Sequence, residues 1–333
     1  MRTKLHASII VTYRCNAKCN MCKVWQSPTN PYEEIGLDVI EKLPETFFTN
    51  LTGGEPFIRR DFPDIVEIIR KKTKRIVIST NGYFTDRIIS LCEKFPDLGI
   101  RISIEGLPKA NDEIRGILDG FDRGMRTLLK LRSMGIKDIG FCMTVQDSNC
   151  EDLVPLYSLA KALGYEFATA TLHNSHYFHT SDNVIQNKEK VCKEFEKLIR
   201  ELLRSKSIKD WFRAYVNLGL INFIHGNPRF LPCEMGQNGF FVDPWGDVLV
   251  CNGMDEKKSL GNLRERSWDE IWNSNRAQEV REMVKNCSKN CWMIGSVAPA
   301  IWHHPVKPVM WVLKNKVKSV MGKGIDLRLK NPK

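Results

Sequence analysis

Short apolar runs and amphipathic stretches take turns along the first half of the chain. The run Ser-Ile-Ile-Val-Thr at 8–12 reads as a strand, and 37–43 as a helix. A second strand at 46–51 leads into a Gly-Gly turn. Residues 62–72 place Phe62, Ile65, Val66, Ile68 and Ile69 at helical spacing. Further strands are expected at 75–79, 99–104, 138–145 and 166–171. Helices are expected at 86–94, 121–134 and 150–163, the last two closed by Gly135 and Gly164. Six strands alternating with helices predict an α/β fold with a parallel sheet, and six repeats fit a partial barrel. In such folds ligands lie on the loops at the carboxyl ends of the strands.

The pattern then changes. Residues 187–205 form a polar helical stretch and 211–223 a more apolar one, followed by a boundary at Gly226-Asn227-Pro228. A hairpin is predicted from 239–242 and 247–251 around the turn Asp243-Pro244-Trp245-Gly246. Helical patterns return at 267–273 and 276–284. Beyond 305, Trp311, Val312, Leu313, Val317, Val320 and Met321 are expected on one apolar face, with Lys314, Lys316, Lys318 and Lys323 around it. The expected division is 1–225, 226–295 and a basic amphipathic tail at 296–333.

Composition narrows the class. The chain has 333 residues, 42% hydrophobic and 27% charged, and no run approaches the ~18–20 apolar residues of a membrane span. Arg2 and Lys4 precede no apolar signal segment, so a cytoplasmic protein is expected, with peripheral membrane contact through the tail as a second reading. The net charge of +11 admits nucleic acid, a membrane surface, an anionic substrate or simply a basic surface. No specific nucleic acid is expected. Eleven cysteines without an export signal point to metal or redox chemistry rather than disulfides.

Three of these cysteines follow the first strand as Cys15-x3-Cys19-x2-Cys22. A structural zinc site takes four ligands, usually as two close pairs, and no local fourth ligand completes this set. Three thiolates on a four-iron cluster leave one iron open to a substrate or cofactor. The other strand ends carry Gly53-Gly54-Glu55-Pro56, then Ser79, Asn81 and Gly82, then Ser103, Glu105 and Gly106. These offer hydroxyl, amide and carboxylate groups suited to a ribose and an amino acid. Cys233, Cys251, Cys287 and Cys291 form a second set, competent for zinc or for a second cluster.

The CxxxCxxC loop, the GGEP turn and the polar strand ends, in this order over about 4–171, resemble the radical S-adenosylmethionine enzymes. The resemblance implies a partial (β/α)6 TIM-like barrel, a 4Fe–4S cluster on Cys15, Cys19 and Cys22, and S-adenosylmethionine on the open iron. It assigns Gly53, Gly54 and Glu55 of the GGEP turn, which Pro56 completes, to the methionine amino group. Ser79, Asn81, Ser103 and Glu105 go to the cofactor's polar groups, and Met21 to its adenine, where the family commonly has an aromatic residue. The segment from Cys233 to Trp292, with Asp243-Pro244-Trp245-Gly246, Gly261-Asn262-Leu263 and Trp268-Asp269-Glu270-Ile271-Trp272, resembles a SPASM or twitch auxiliary-cluster domain. Four cysteines there imply one auxiliary 4Fe–4S cluster, two clusters in all, served by a one-electron donor such as flavodoxin or ferredoxin.

A fully ligated auxiliary cluster suits electron transfer, so an oxidoreductase that dehydrogenates a small sugar-like or cyclitol substrate is expected. The short segments before Ser8 and after Trp292 leave no room for a leader-peptide domain, which favours a small molecule, anionic or lipid-linked. The alternative is an epimerase or a peptide maturase, and the alternative of another class is a zinc-binding nucleic-acid module. His173, His176 and His179, beyond the sixth strand, are candidates to take a proton. Arg115 is a candidate clamp for an anionic group. Cys142, on the fifth strand, is a candidate hydrogen-atom donor or a small buried hydrophobe.

Overall fold

The computed structural model describes residues 5–327 except 252 and 255, so Arg2, Lys4 and the end of the basic tail lie outside the described residues. The first six strands are β1 His6–Ile10, β2 Thr46–Thr52, β3 Thr73–Thr80, β4 Gly99–Ser103, β5 Ile139–Val145 and β6 Glu166–Thr171. They pair in parallel, each with its neighbour in sequence. The crossovers carry α1 Leu37–Glu41, α2 Phe62–Arg70, α3 Thr85–Lys94, α4 Pro108–Arg115, α5 Gly120–Ser133 and α6 Leu153–Ala162. The result is an open partial barrel, as expected. Its wall is built from fully buried Ile9, Leu51, Ile78, Ile100, Ile102 and Phe141, against which the amphipathic helices lay their apolar faces.

Helix α4 is absent from the sequence reading. It is short and polar, which hides its period. Its end signals are nonetheless present: Pro108 in the first turn, and Gly116 at φ 55° as the left-handed stop.

Two long helices, α7 Lys188–Arg204 and α8 Ile208–Ile224, follow β6. Then β7 Gly239–Val242, β8 Asp247–Leu249 and β9 Ser259–Asn262 extend the sheet to the order β6-β5-β4-β3-β2-β1-β7-β8-β9. Strand β7 runs parallel to β1, with Ile9 opposite Val242, and β8 and β9 return antiparallel. The cysteine-rich region therefore continues the barrel sheet instead of forming a sheet of its own. Helices α9 Trp268–Trp272 and α10 Asn275–Lys285 cover it.

The chain closes with α11 Ile294–His303 and α12 Val306–Val320. The apolar face expected on the tail is split between two sides. Trp311 and Val312 are buried, with Trp311 edge-on to Tyr215 of α8 at 5.7 Å, whereas Leu313, Val317, Val320 and Met321 are exposed. At 3.6 residues per turn, 311 and 312 point away from the 313–317–320 line, so one face cannot hold both groups. Among the described residues no helix is long and apolar enough to cross a membrane.

One packing contact fixes the end of the cysteine-rich region. Trp292, fully buried beside Cys291, sits in the notch left by Gly219 on α8 and donates its Nε1–H to Val216 O at 2.9 Å. A β-carbon at position 219 would collide with the indole ring. Gly219→Ala is expected to destabilise the cluster-free protein by about 1–3 kcal/mol in urea unfolding; an unchanged midpoint would show that the indole has room to move.

Candidate active site

The three-cysteine loop lies at the carboxyl end of β1, and the other strand ends are stitched to it. Gly54 N–H donates to Thr12 O at 2.7 Å and Glu55 N–H to Arg14 O at 2.8 Å. Side chains at 53 and 54 would run into the backbone carbonyls of Thr12 and Arg14, so only glycine permits this joint. Asn81 Nδ2 donates to Asn16 Oδ1 at 2.8 Å, tying in the third strand end. Lys18 N–H and Asn20 N–H donate to the carbonyls of Arg115 and Ile114 at the end of α4. Gly116 must be glycine there, since a β-carbon would press on Lys18 O.

Two buried carboxylates hold these loops from below. Glu55 is fully buried and accepts from Thr80 Oγ1 at 2.8 Å, Asn81 N–H at 2.7 Å and Phe57 N–H at 3.2 Å. Burial pushes its carboxyl above the usual range, against those hydrogen bonds. Glu55 thus fastens the second strand end to the third, a role the motif alone does not reveal. Glu105 accepts from Thr144 N–H at 2.6 Å and from Arg115 Nη1 at 2.8 Å. Asn149 bridges Glu105 O and Thr144 O.

Arg115, the candidate clamp for an anionic group, does not face open solvent. It is buried under the cysteine loop. Burial opposes its charge, but Cys19, Glu105, Cys15 and Glu55 together hold the guanidinium above its ordinary pKa. Its Nε–H is buried with no partner. The Nδ2 of Asn16 is in the same condition on the cysteine loop itself. Buried donors left unpaired at one place are costly unless a ligand meets them.

The remaining assigned residues spread along the inner wall. Strand register places Ser103 beside Cys142, and Cys142 beside Ala168. Ser79 donates to Asn50 Oδ1 at 3.0 Å, and Ser103 is half-buried. Burial, then Glu105, pushes the Cys142 thiol up to about 11. Pro56 is buried and opens a short turn behind Glu55. Met21 is half-buried, and its carbonyl accepts from Asn183 Nδ2 at 3.1 Å.

That last contact belongs to a strap, residues 172–187, which leaves the edge strand β6 and crosses to the β1 end. Tyr177 Oη donates to Gly53 O at 2.7 Å, Lys23 N–H donates to Phe178 O, and Lys23 pairs with Asp182 at 2.7 Å. Tyr13 packs on Tyr177, on His179 at 4.9 Å and on Trp245 of the β7–β8 turn at 5.3 Å. The three histidines of this strap stand out in the sequence, whereas Tyr177 between them does not. His173 is lowered in pKa by burial, and its Nδ1 lies 2.9 Å from Thr171 O. A neutral ring that donates there leaves Nε2 as an acceptor. His176 is also lowered, by burial and then by Lys257, which pairs with Asp243 at 2.6 Å. His179 occupies the left-handed region at φ 53°.

The thiols fit iron–sulfur clusters. Burial pushes Cys15 up to about 12 and Cys22 to about 11, so both are neutral thiols at pH 7 without a cation and lose their protons on ligation. In the second set, Cys251 is raised to about 11 by burial and lies within electrostatic reach of Cys233, Cys291 and Cys287. Cys251 and Cys291 both approach Gly253, and Arg229 reaches the Cys291 carbonyl while its Nη2 is buried with no partner. Among the described residues no three His, Cys, Asp or Glu side chains close on a point for one metal ion. A four-iron cube needs its thiolates spread more widely than that.

A family model of the radical SAM superfamily matches residues 9–160, and one of an iron–sulfur cluster-binding domain, SPASM, matches 233–292. The chain is 25% identical to the Fe-coproporphyrin III synthase of Methanosarcina barkeri, over 85% of this chain and 79% of that one. It is 26% identical to the mycofactocin maturase of Mycolicibacterium smegmatis, over 82% and 71%. It is 24% identical to the antilisterial bacteriocin subtilosin biosynthesis protein of Bacillus subtilis, over 81% of this chain and 60% of the relative. In fold it resembles anSMEcpe with bound AdoMet, with a TM-score of 0.62 at 16% identity over 93% and 99% of the two chains. It also resembles Streptococcus suis SuiB bound to precursor peptide SuiA, with a TM-score of 0.63 at 15% identity over 87% and 72%.

Removing one member of the buried Glu105–Arg115 pair leaves an uncompensated charge. Arg115→Met is expected to cost about 3–5 kcal/mol in urea unfolding, and Glu105→Met combined with Arg115→Met to recover most of that loss. A single substitution costing under ~1 kcal/mol would mean that water reaches the pair.

Proposed function

The chain belongs to the radical S-adenosylmethionine superfamily and carries an iron–sulfur cluster-binding domain, and on that premise we propose that it is a maturase that modifies a peptide through a substrate radical. The observation that carries this reading is the character of its relatives. They include a maturase, a bacteriocin biosynthesis protein and a sporulation killing factor maturation protein. A structural neighbour holds a precursor peptide. The expected sugar-like or cyclitol substrate draws no support from these relatives. The Fe-coproporphyrin III synthase, matched over most of both chains, favours as a second reading a non-peptide substrate with the same radical chemistry.

When bound, the first cluster with S-adenosylmethionine supplies hydrogen-atom abstraction, and the second supplies one-electron exchange. Cys15, Cys19 and Cys22 would hold the first with three thiolates. Cys233, Cys251, Cys287 and Cys291 would hold the second with four. The unpaired Nε–H of Arg115 would be available to the cofactor carboxylate, and Glu105 holds the guanidinium by its Nη1. The Gly53–Gly54–Glu55 turn would receive its ammonium group. Tyr177 ties the strap to the turn and would help to exclude water once the cofactor is bound. His173 Nε2 takes a proton released as the substrate is oxidised. Ser79 and Ser103 would serve the cofactor's other polar groups, with Cys142 beside Ser103 in the sheet.

Anaerobically reconstituted protein is expected to carry about eight irons. Alanine at Cys15, Cys19 and Cys22 should remove about four and stop formation of 5′-deoxyadenosine. Alanine at Cys233, Cys251 and Cys291 should remove the other four or so and leave uncoupled cofactor cleavage. Zinc in place of iron would sink the enzyme reading. Deuterium passing from a labelled peptide into 5′-deoxyadenosine supports the maturase, and transfer only from non-peptide substrates supports the second reading.

A further inference from the structure

Helix α12 has two apolar sides, and only one is used. Its inner side buries Pro308, Trp311, Val312 and Asn315 against α7 and α8. Lys316 Nζ anchors it further by donating to Leu203 O at 2.7 Å and Ser205 O at 2.9 Å. The outer side carries Val306, Met310, Leu313, Val317 and Val320, spaced four, three, four and three apart, which makes one straight stripe along a helix. Exposure along it runs from 57% at Leu313 to 74% at Val320. Trp302 of α11, four residues before Val306 in the chain, is 71% exposed as well. The inner anchors prevent the helix from rolling to bury this side. Contiguous exposed apolar surface of this kind marks an interaction site.

Charge selects the partner. Lys307, Lys314 and Lys318 follow one edge of the stripe and Lys316 the other, and α12 contains no acidic residue. Lys314 pairs with Asp326, beyond the helix end. A second copy laid on the stripe would meet lysine with lysine in either direction. The helix before the stripe also carries an exposed tryptophan, the residue that favours the level of lipid headgroups. Trp302 packs against Phe47, over which Lys74 lies at 5.3 Å, so the basic apolar patch continues onto the first residues of β2 and β3.

We propose that the outer side of α12, with Trp302, docks this protein on the surface of an anionic lipid bilayer. The helix lies in the interface and does not cross it. Phe47 stands at the amino end of β2, whereas the cysteine loop stands at the carboxyl end of β1, so docking at Trp302 leaves the candidate active site open to water. The substrate then arrives from the aqueous side. This differs from the expectation of a lipid-linked substrate drawn from the membrane.

The test is flotation of the holoprotein, full chain, with phosphatidylcholine vesicles with and without phosphatidylglycerol. The protein is expected to float with the anionic vesicles at low salt, to be partly released by high salt, and to stay behind with phosphatidylcholine alone. Leu313→Asp with Val317→Asp should cut the bound fraction roughly tenfold or more. Their side chains lie outside the core, so the melting curve and cofactor cleavage should be unchanged. Lys314→Glu with Lys318→Glu should abolish the preference for phosphatidylglycerol. Failure of the wild-type chain to float, or flotation unaffected by the aspartates, overturns the proposal. A dimer in light scattering that the aspartates dissolve, without flotation, overturns it in favour of self-association.

Discussion

The site depends on one buried ion pair, Glu105 with Arg115, at 2.8 Å beneath the cysteine loop. Neither charge reaches water, so each needs the other. Their hydrogen bonds then propagate outward. Glu105 takes the Thr144 amide of β5, and the end of α4 gives its last carbonyls to Lys18 and Asn20 between the cysteines. Two strand ends, those of β4 and β5, and one helix are thereby fixed to the loop. Glu55 does the same from the other side, through Thr80 and Asn81. A loop of thiols with so little regular structure holds its shape because the groups around it have no alternative partners.

The two cysteine sets share a feature. Each lies against an arginine with a buried, unpaired N–H: Arg115 at the first and Arg229 at the second. An iron–sulfur cluster on thiolates carries net negative charge, and a guanidinium held in low dielectric beside it offsets that charge more strongly than a solvated lysine would. Orphan donors that look like defects in the chain alone are reasonable beside anionic clusters.

Much of this was legible in the sequence. Six strands and their crossover helices follow from period and turn residues, because a parallel sheet packed under helices makes its strands apolar and short. The cysteine spacing and Gly53-Gly54-Glu55-Pro56 pointed to the site and its cofactors. What stayed hidden is what depends on pairing across the fold. The number and kind of residues in 239–262 do not say that β7 adds to β1. The motif around Arg115 shows a cation but not that Glu105 neutralises it. Tyr177 carries no signal beyond its type, since its function comes from meeting Gly53 across 124 positions of chain. The tail's apolar residues were all visible, but which of them face inward is decided by Tyr215 of α8.

The continuity of the nine-stranded sheet has a structural consequence of its own. Strand β1 is central because β7 covers its outer side. A chain cut before β7 would expose that side as a bare ladder of amide and carbonyl groups, backed by apolar Ile9 and Val11. Such an edge recruits other strands and aggregates. The cysteine-rich region is therefore also the barrel's protection against self-association. The two parts cannot be separated as independent modules, and a lineage that lost the second cluster would still have to keep the strand that shields the first.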